Sequence, residues 1–130
     1  MAKQTIEFSD TFLLGHWRQV SGAPEGISEK ILSYDPESGN LTRLVRFAPG
    51  VRIPNVQNHD FCEEVYILEG YMIDTGKNVI APKGYYACRP VGMIHGPYDI
   101  PVTCFCFETR YQDPLKPLNP ECSLYNMKPE

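Results

Sequence analysis

The sequence contains no hydrophobic run that approaches the length of a membrane span, and residues 1–7 lack the apolar core of a secretory signal peptide. Lysine and arginine are scattered along the chain and the formal net charge is -4, so no basic stripe is available for nucleic acid or for an anionic membrane surface. These absences predict a cytoplasmic protein that binds neither nucleic acid nor membranes.

The five cysteines form no Cys-x-x-Cys pair, and in a cytoplasmic chain we expect them to stay reduced. Cys104 and Cys106 share one face of a candidate strand. Because buried cysteine usually behaves as a small hydrophobic residue, we interpret these two as barrel wall or core and not as a soft-metal pair.

A sustained helical period is also missing; strand signals instead recur at short intervals between Gly, Pro, Asn and Asp turns. We therefore predict one all-β domain over residues 1–130, with its core at roughly 28–110. Residues before about 27 are expected to form an N-terminal arm. The proline-rich tail from 113 onward is expected to wrap the surface or a partner subunit, because proline cannot occupy a central strand. The candidate strands are 29–34, 41–47, 63–68, 71–74, 78–80, 84–89 and 102–109.

Two short clusters, at 57–64 and 92–95, carry the residues best suited to chemistry. On an extended chain Gln57, His59 and Glu63 share a parity and can point the same way. His95 can join them only if the fold brings a second strand alongside, as a closed antiparallel barrel would. The pattern thus predicts a metal site of two imidazoles and a carboxylate, and a barrel that assembles it.

Both clusters resemble the two motifs of the cupins, which are double-stranded β-helix or jelly-roll barrels. The resemblance extends further, because Trp17 and the segments 26–34, 41–50 and 63–70 look like the cupins of ChrR-type anti-sigma factors and of acetylacetone-cleaving dioxygenases, and it covers roughly residues 12–110. It implies a jelly-roll barrel and, as is common in cupins, a homodimer. The matching positions are Gly50, Gln57-x-His59, Glu63 and Gly70 in the first motif, and Gly84, Pro90-x-Gly92 and His95 in the second.

By this resemblance the metal ligands fall on Gln57, His59, Glu63 and His95, although the family usually has histidine at the first position. An amide oxygen is a weaker ligand than imidazole. If Gln57 stays off the metal, the other three form the set that leaves open positions on non-haem iron(II). We therefore favour iron(II) as the divalent metal, while zinc or manganese stay possible. A decayed, metal-free site is the alternative.

Three further residues are candidates for catalysis. Arg89, if it faces the interior, needs an anionic partner such as a substrate carboxylate or enolate; alternatively it faces solvent or pairs with a glutamate on a neighbouring strand. Glu108 is a potential general base if its face of the last strand points inward together with Cys104 and Cys106. The other face of that strand would present Phe105 and Phe107 instead. Tyr98 is a candidate for moving a proton.

Three functions follow, each with a small molecule as partner. The favoured one is an iron(II)-dependent dioxygenase that cleaves a C–C bond in a small dicarbonyl or ketone. The first alternative is a redox-neutral isomerase or lyase that acts on a small carboxylate or sugar-like substrate, with Glu108 or Tyr98 moving the proton. The second is a non-catalytic sensor or binding module.

Overall fold

The computed structural model describes residues 3–129 and shows an antiparallel jelly roll, which confirms the predicted fold class. Within these residues no helix is long and apolar enough to cross a membrane. A short 3₁₀ helix, Ser123–Met127, follows the last strand. The strands are β1 Arg18–Gln19, β2 Ile27–Tyr34, β3 Leu41–Phe47, β4 Val51–Ile53, β5 Cys62–Glu69, β6 Tyr71–Asp74, β7 Val79–Pro82, β8 Tyr86–Arg89, β9 Tyr98–Ile100 and β10 Cys104–Tyr111.

The strands form two sheets, one in the order β1-β2-β3-β10-β5-β8 and the other in the order β4-β9-β6-β7. Chain reversal between β5 and β6 depends on Gly70, which has a φ of +76°. A Cβ atom there would lie 2.1 Å from the backbone oxygen of Thr103. Only glycine fits so close an approach at a positive φ.

Side chains on the inner strands alternate between the interior and the outer face, as period-two geometry requires. On β3, Leu41, Arg43, Val45 and Phe47 are all buried. On β10 the inward set is Cys104, Cys106, Glu108 and Arg110. This settles the alternative left open by parity, since Phe107 is 38% exposed on the outer face. Cys104 and Cys106 are core residues, as predicted.

The barrel interior has an apolar half and a charged half, and strand register explains the division. Across β3 and β10, Phe47 lies opposite Cys104 and Val45 lies opposite Cys106. Two residues further along, Arg43 lies opposite Glu108. The next inward residue of β10, Arg110, lies opposite Glu63 of β5. Inward side chains that face each other on neighbouring strands therefore form layers across the barrel. These layers change from apolar to ionic along the barrel.

The two terminal segments pack on the barrel. In the arm, the Trp17 ring lies edge-on to Phe105, with centroids 6.3 Å apart, on the outer face of the large sheet. In the tail, Cys122 and Leu124 are buried in a second cluster with Phe61. The tail thus wraps this chain's own surface, which was one of the two predicted arrangements.

The predicted strands 41–47 and 71–74 agree with the structure residue for residue, and the others shift by one or two residues at one or both ends. Three strands were missed, β1, β4 and β9. Each has only two or three residues, so alternation has no room to show. They form because a neighbouring strand offers its edge, and a single sequence does not display that.

Candidate metal centre

His59, Glu63 and His95 converge at the charged half of the barrel. One ligand atom from each lies within 4.8 Å of the others, and no other such group of three occurs among residues 3–129. The Nε2 atoms of the two histidines are 3.3 Å apart. Glu63 and His95 are buried, with 3% and 6% exposure. The three residues that the sequence predicted as ligands are therefore brought together.

The local reason for this convergence differs from the one expected. Gln57 and His59 precede β5, which begins at Cys62, so shared parity on one strand does not align them with Glu63. Instead the backbones of Gln57 and His95 exchange two hydrogen bonds, of 2.7 and 2.9 Å, in an isolated antiparallel bridge. A third bond, from Gly92 N–H to the His59 carbonyl oxygen, measures 2.9 Å. The two motif loops are thus joined to each other beside β5.

Gln57 contributes chiefly through its backbone in this arrangement. Its side-chain Nε2 donates to the backbone oxygen of Asn55 at 2.9 Å, and the residue also lines the cavity described below. Coordination by the Gln57 amide oxygen remains a prediction.

Protonation states at the centre suit a cation. Burial lowers the pKa of His95 to about 4, helped by the nearby positive charge of Arg89. Burial also lowers the pKa of His59. Burial alone would raise the pKa of Glu63, but Arg110 and Arg89 outweigh it and hold that pKa at about 2. At neutral pH the centre therefore offers two neutral imidazoles and one carboxylate, which are the forms that bind metal.

The hydrogen bonding of His95 also suits a metal ligand. The Nδ1 atom of His95 lies 2.7 Å from the Tyr98 hydroxyl oxygen, which also accepts a hydrogen bond from Arg89 Nη2 at 3.0 Å. If Nδ1–H donates to that oxygen, the lone pair of Nε2 faces His59. Ligating histidines usually donate their second ring N–H to such a partner. Tyr98 is therefore placed to orient His95.

Glu63 is also the centre of a buried ionic network. Its Oε1 accepts from Arg89 Nη1 and its Oε2 accepts from Arg110 Nε, both at 2.7 Å. Each carboxylate oxygen has a second lone pair, so these bonds leave acceptor capacity for a metal ion. The donor set of His59, Glu63 and His95 therefore fits a divalent cation.

The network continues away from the centre through Glu108. Its Oε1 lies 3.7 Å from Arg110 Nε and accepts from Arg43 Nη2 at 2.8 Å. Arg43 Nη1 in turn donates to Glu29 at 2.7 Å. Arg18 is the last member of the network and donates from Nε to the other oxygen of Glu29 at 3.0 Å.

All three residues predicted for catalysis line one cavity with the three candidate ligands. Arg89 combines two of the predicted environments, because it faces the cavity and also pairs with a glutamate on the neighbouring strand. Glu108 faces inward, and its carboxylate is bound by Arg43. Sequence reasoning missed Arg43 and Arg110. The signal that could have found them is the alternation of inward and outward side chains along β3 and β10, which places both arginines at buried positions.

The cavity has a volume of about 600 Å³ and a lining of two kinds. Part of the lining is charged and includes the candidate ligands and three arginines. Another part is apolar and belongs to, or packs on, the main core cluster. Half-buried and exposed residues at 20–24 and 53–55 also line it. The apolar lining comes from Ile27, Val45, Phe47, Ile53, Val65 and Met72.

The jelly-roll barrel and the metal-ligand set joined by two motif loops define a cupin. The model of one cupin family, the ChrR cupin-like domain, matches residues 13–112. Since this match spans most of the chain, the protein belongs to the ChrR cupin-like family. No curated protein matched this sequence.

Solved structures support the fold assignment. An RmlC-like cupin from Shewanella frigidimarina is 18% identical, with a TM-score of 0.66 over 85% of this chain and 95% of that one. An acetylacetone dioxygenase from Acinetobacter johnsonii is 20% identical, with a TM-score of 0.65 over 85% of this chain and 75% of that one. The anti-sigma factor ChrR of Rhodobacter sphaeroides, solved with SigE, is 21% identical, with a TM-score of 0.56 over 73% of this chain and 49% of that one.

Proposed function

We propose that this protein binds a divalent metal ion, with iron(II) favoured, through His59, Glu63 and His95. We further propose that it is a dioxygenase that cleaves a C–C bond in a small dicarbonyl or ketone substrate. The observation that carries the proposal is the convergence of three candidate ligand atoms within 4.8 Å of one another in the lining of a cavity of about 600 Å³. Two histidines and one carboxylate leave positions open on non-haem iron(II) for substrate and dioxygen. Similarity in fold to an acetylacetone dioxygenase supports the same reaction class.

When bound, iron(II) would polarise a substrate carbonyl and supply the one-electron chemistry that reaction with dioxygen requires. The protein's own residues would prepare the site. Tyr98 orients the His95 ring through Nδ1, and the apolar side chains of the lining would pack on the substrate. Arg89 and Tyr98 are the residues we expect to contact substrate. For Glu108, the guanidinium of Arg43 at 2.8 Å favours a positioning role over that of a free base.

The test begins with protein purified anaerobically without a metal-affinity tag, followed by element-resolved metal analysis. Oxygen-electrode traces with small β-dicarbonyls after iron(II) loading then measure the reaction. Stoichiometric iron and substrate-dependent oxygen uptake are expected. His59→Ala and His95→Ala should abolish metal retention, because each removes one of three ligands. His16→Ala is the matched control, since this histidine is exposed in the N-terminal arm.

Other outcomes would contradict the proposal in distinct ways. Zinc or manganese without oxygen uptake would indicate the redox-neutral isomerase or lyase, with Tyr98 moving the proton. Absence of any stoichiometric metal would indicate a binding module. Gln57→Ala should weaken metal retention modestly or not at all, and a loss equal to that of His95→Ala would instead show that Gln57 is a fourth ligand.

A further inference from the structure

The ionic network around the metal centre carries more positive than negative charge. Four arginines, at 18, 43, 89 and 110, are joined by ion pairs to three glutamates, at 29, 63 and 108. Metal-binding imidazoles are neutral and cancel none of the excess. If the proposed function is right, a divalent cation at the centre adds two further positive charges beside the cavity. The excess belongs to Arg18, whose side chain is 24% exposed and screened by solvent. The charge left to balance beside the cavity is that of the bound cation, so the molecule that completes the site should be an anion.

Among the arginines that line the cavity, Arg89 is the best placed to meet that anion. Arg110 is enclosed, with its guanidinium 4.8 Å from the Phe61 ring centre and bonded to Glu63. Arg43 is locked between two glutamates, and its side chain is 4% exposed. Arg89 also donates to Glu63 and to the Tyr98 hydroxyl, but it lies on β8, at the edge of the large sheet, and its side chain is 14% exposed, against 10% for Arg110. A planar guanidinium also matches a carboxylate in a two-point contact.

The size and polarity of the cavity describe the rest of the ligand. Its volume of about 600 Å³ lies in the range of roughly 300–1,000 Å³ that holds drug-sized ligands, well above the needs of a five-carbon dicarbonyl. Beyond the charged layer the lining is apolar, and includes Val45, Phe47 and Met72. A ligand that fills the cavity must therefore be charged at one end and apolar over its body.

From this geometry we propose that the substrate is an amphipathic carboxylate, whose carboxylate group binds the Arg89 guanidinium and whose apolar body packs on Val45, Phe47 and Met72. Within the proposed function, this specifies the dicarbonyl or ketone substrate as an oxo acid with an apolar side chain. Arg89 then selects the substrate by charge.

Titration calorimetry on the metal-loaded protein tests the proposal without relying on turnover. The probes are 3-phenylpropionate, its neutral amide 3-phenylpropionamide, and acetate. The carboxylate should bind about ten- to hundredfold more tightly than the amide, because charge-assisted hydrogen bonds are worth about 1.5–3 kcal/mol. Acetate should bind weakly, because it has no apolar body.

Variants assign the preference to a residue. Arg89→Gln should abolish the preference for carboxylate over amide, and Arg89→Lys should retain part of it by keeping the charge without the two-point contact. Arg52→Gln is the matched control, since Arg52 is 78% exposed in its side chain and lies 3.6 Å from Asp99. Metal content is measured for every variant, because Arg89 also contacts Glu63.

The outcomes separate this inference from the proposed function. Retained metal with equal affinity for carboxylate and amide, or with neither bound, would overturn the inference and leave the metal site intact. A carboxylate preference that survives Arg89→Gln would overturn the assignment to Arg89. Failure of the wild-type protein to hold stoichiometric metal would defeat the proposed function, and the inference with it, and metal analysis reports that result independently of calorimetry.

Discussion

Replacement of Arg43 by methionine should destabilise the fold strongly, because it removes the cation shared by two buried carboxylates. Arg43 donates to Glu29 at 2.7 Å and to Glu108 at 2.8 Å, and all three side chains are at most 6% exposed. After the change Glu29 keeps Arg18, but the nearest charged partner of Glu108 is Arg110 at 3.7 Å. Removal of one partner from a buried ion pair costs about 3–5 kcal/mol.

Urea unfolding followed by circular dichroism measures this loss. With a slope of about 2 kcal/mol per molar urea, a loss of about 4 kcal/mol lowers the unfolding midpoint by about 2 M. The control Arg52→Met removes an exposed arginine and should leave the midpoint nearly unchanged. Adding Glu108→Gln to Arg43→Met should restore part of the stability, because a neutral amide replaces the stranded carboxylate. A midpoint for Arg43→Met equal to that of Arg52→Met would refute the reasoning.

Three further predictions concern the metal centre, its titration and the outer face. Gln57→His should tighten metal binding by supplying the family's usual ligand, and an unchanged affinity in competition with a chelator would place that side chain off the metal. Since the pKa of His95 falls from 6.5 to about 4 on folding, the unfolded chain binds more protons in that window, and stability should decline as pH falls through it. The pKa of Glu63, lowered from 4.5 to about 2, acts in the same direction below pH 4.5, and urea midpoints measured from pH 7 down to about 3 check both effects. We also propose a homodimer whose interface covers the outward aromatic residues of β5 and β8. Tyr66 is 44% exposed and lies opposite Tyr86, which is 59% exposed. Tyr66→Arg should therefore halve the molecular mass measured by light scattering.

The sequence predicted the site more fully than it predicted the site's surroundings. His59, Glu63 and His95 stand in two motifs whose spacing specifies a barrel, so their convergence could be anticipated. The ion pairs behind them could not, since Arg43 and Glu108 are 65 residues apart in the chain and meet only through the register of β3 with β10. That register depends on long-range packing, which a single sequence does not display.

The same limit applies to Arg89. From parity, a cavity-facing arginine and an arginine paired with a neighbouring glutamate were opposed alternatives. The structure shows that one side chain satisfies both, because Glu63 of β5 lies opposite Arg89 of β8 on the inward face. Strand pairing thus places the partner glutamate inside the barrel, at the predicted metal ligand.

Residues of the C-terminal tail belong to the structural unit that supports the candidate site. The match to the family ends at residue 112, yet Met127 lines the cavity, and its sulfur accepts a hydrogen bond from Arg110 at 3.2 Å. Leu124 shares a buried cluster with Phe61, whose ring stacks on His59 with centroids 4.6 Å apart. A chain shortened at the family boundary would keep every strand and every proposed ligand, but it would lose Leu124, which packs with the Phe61 ring that stacks on His59, and Met127, which lines the cavity.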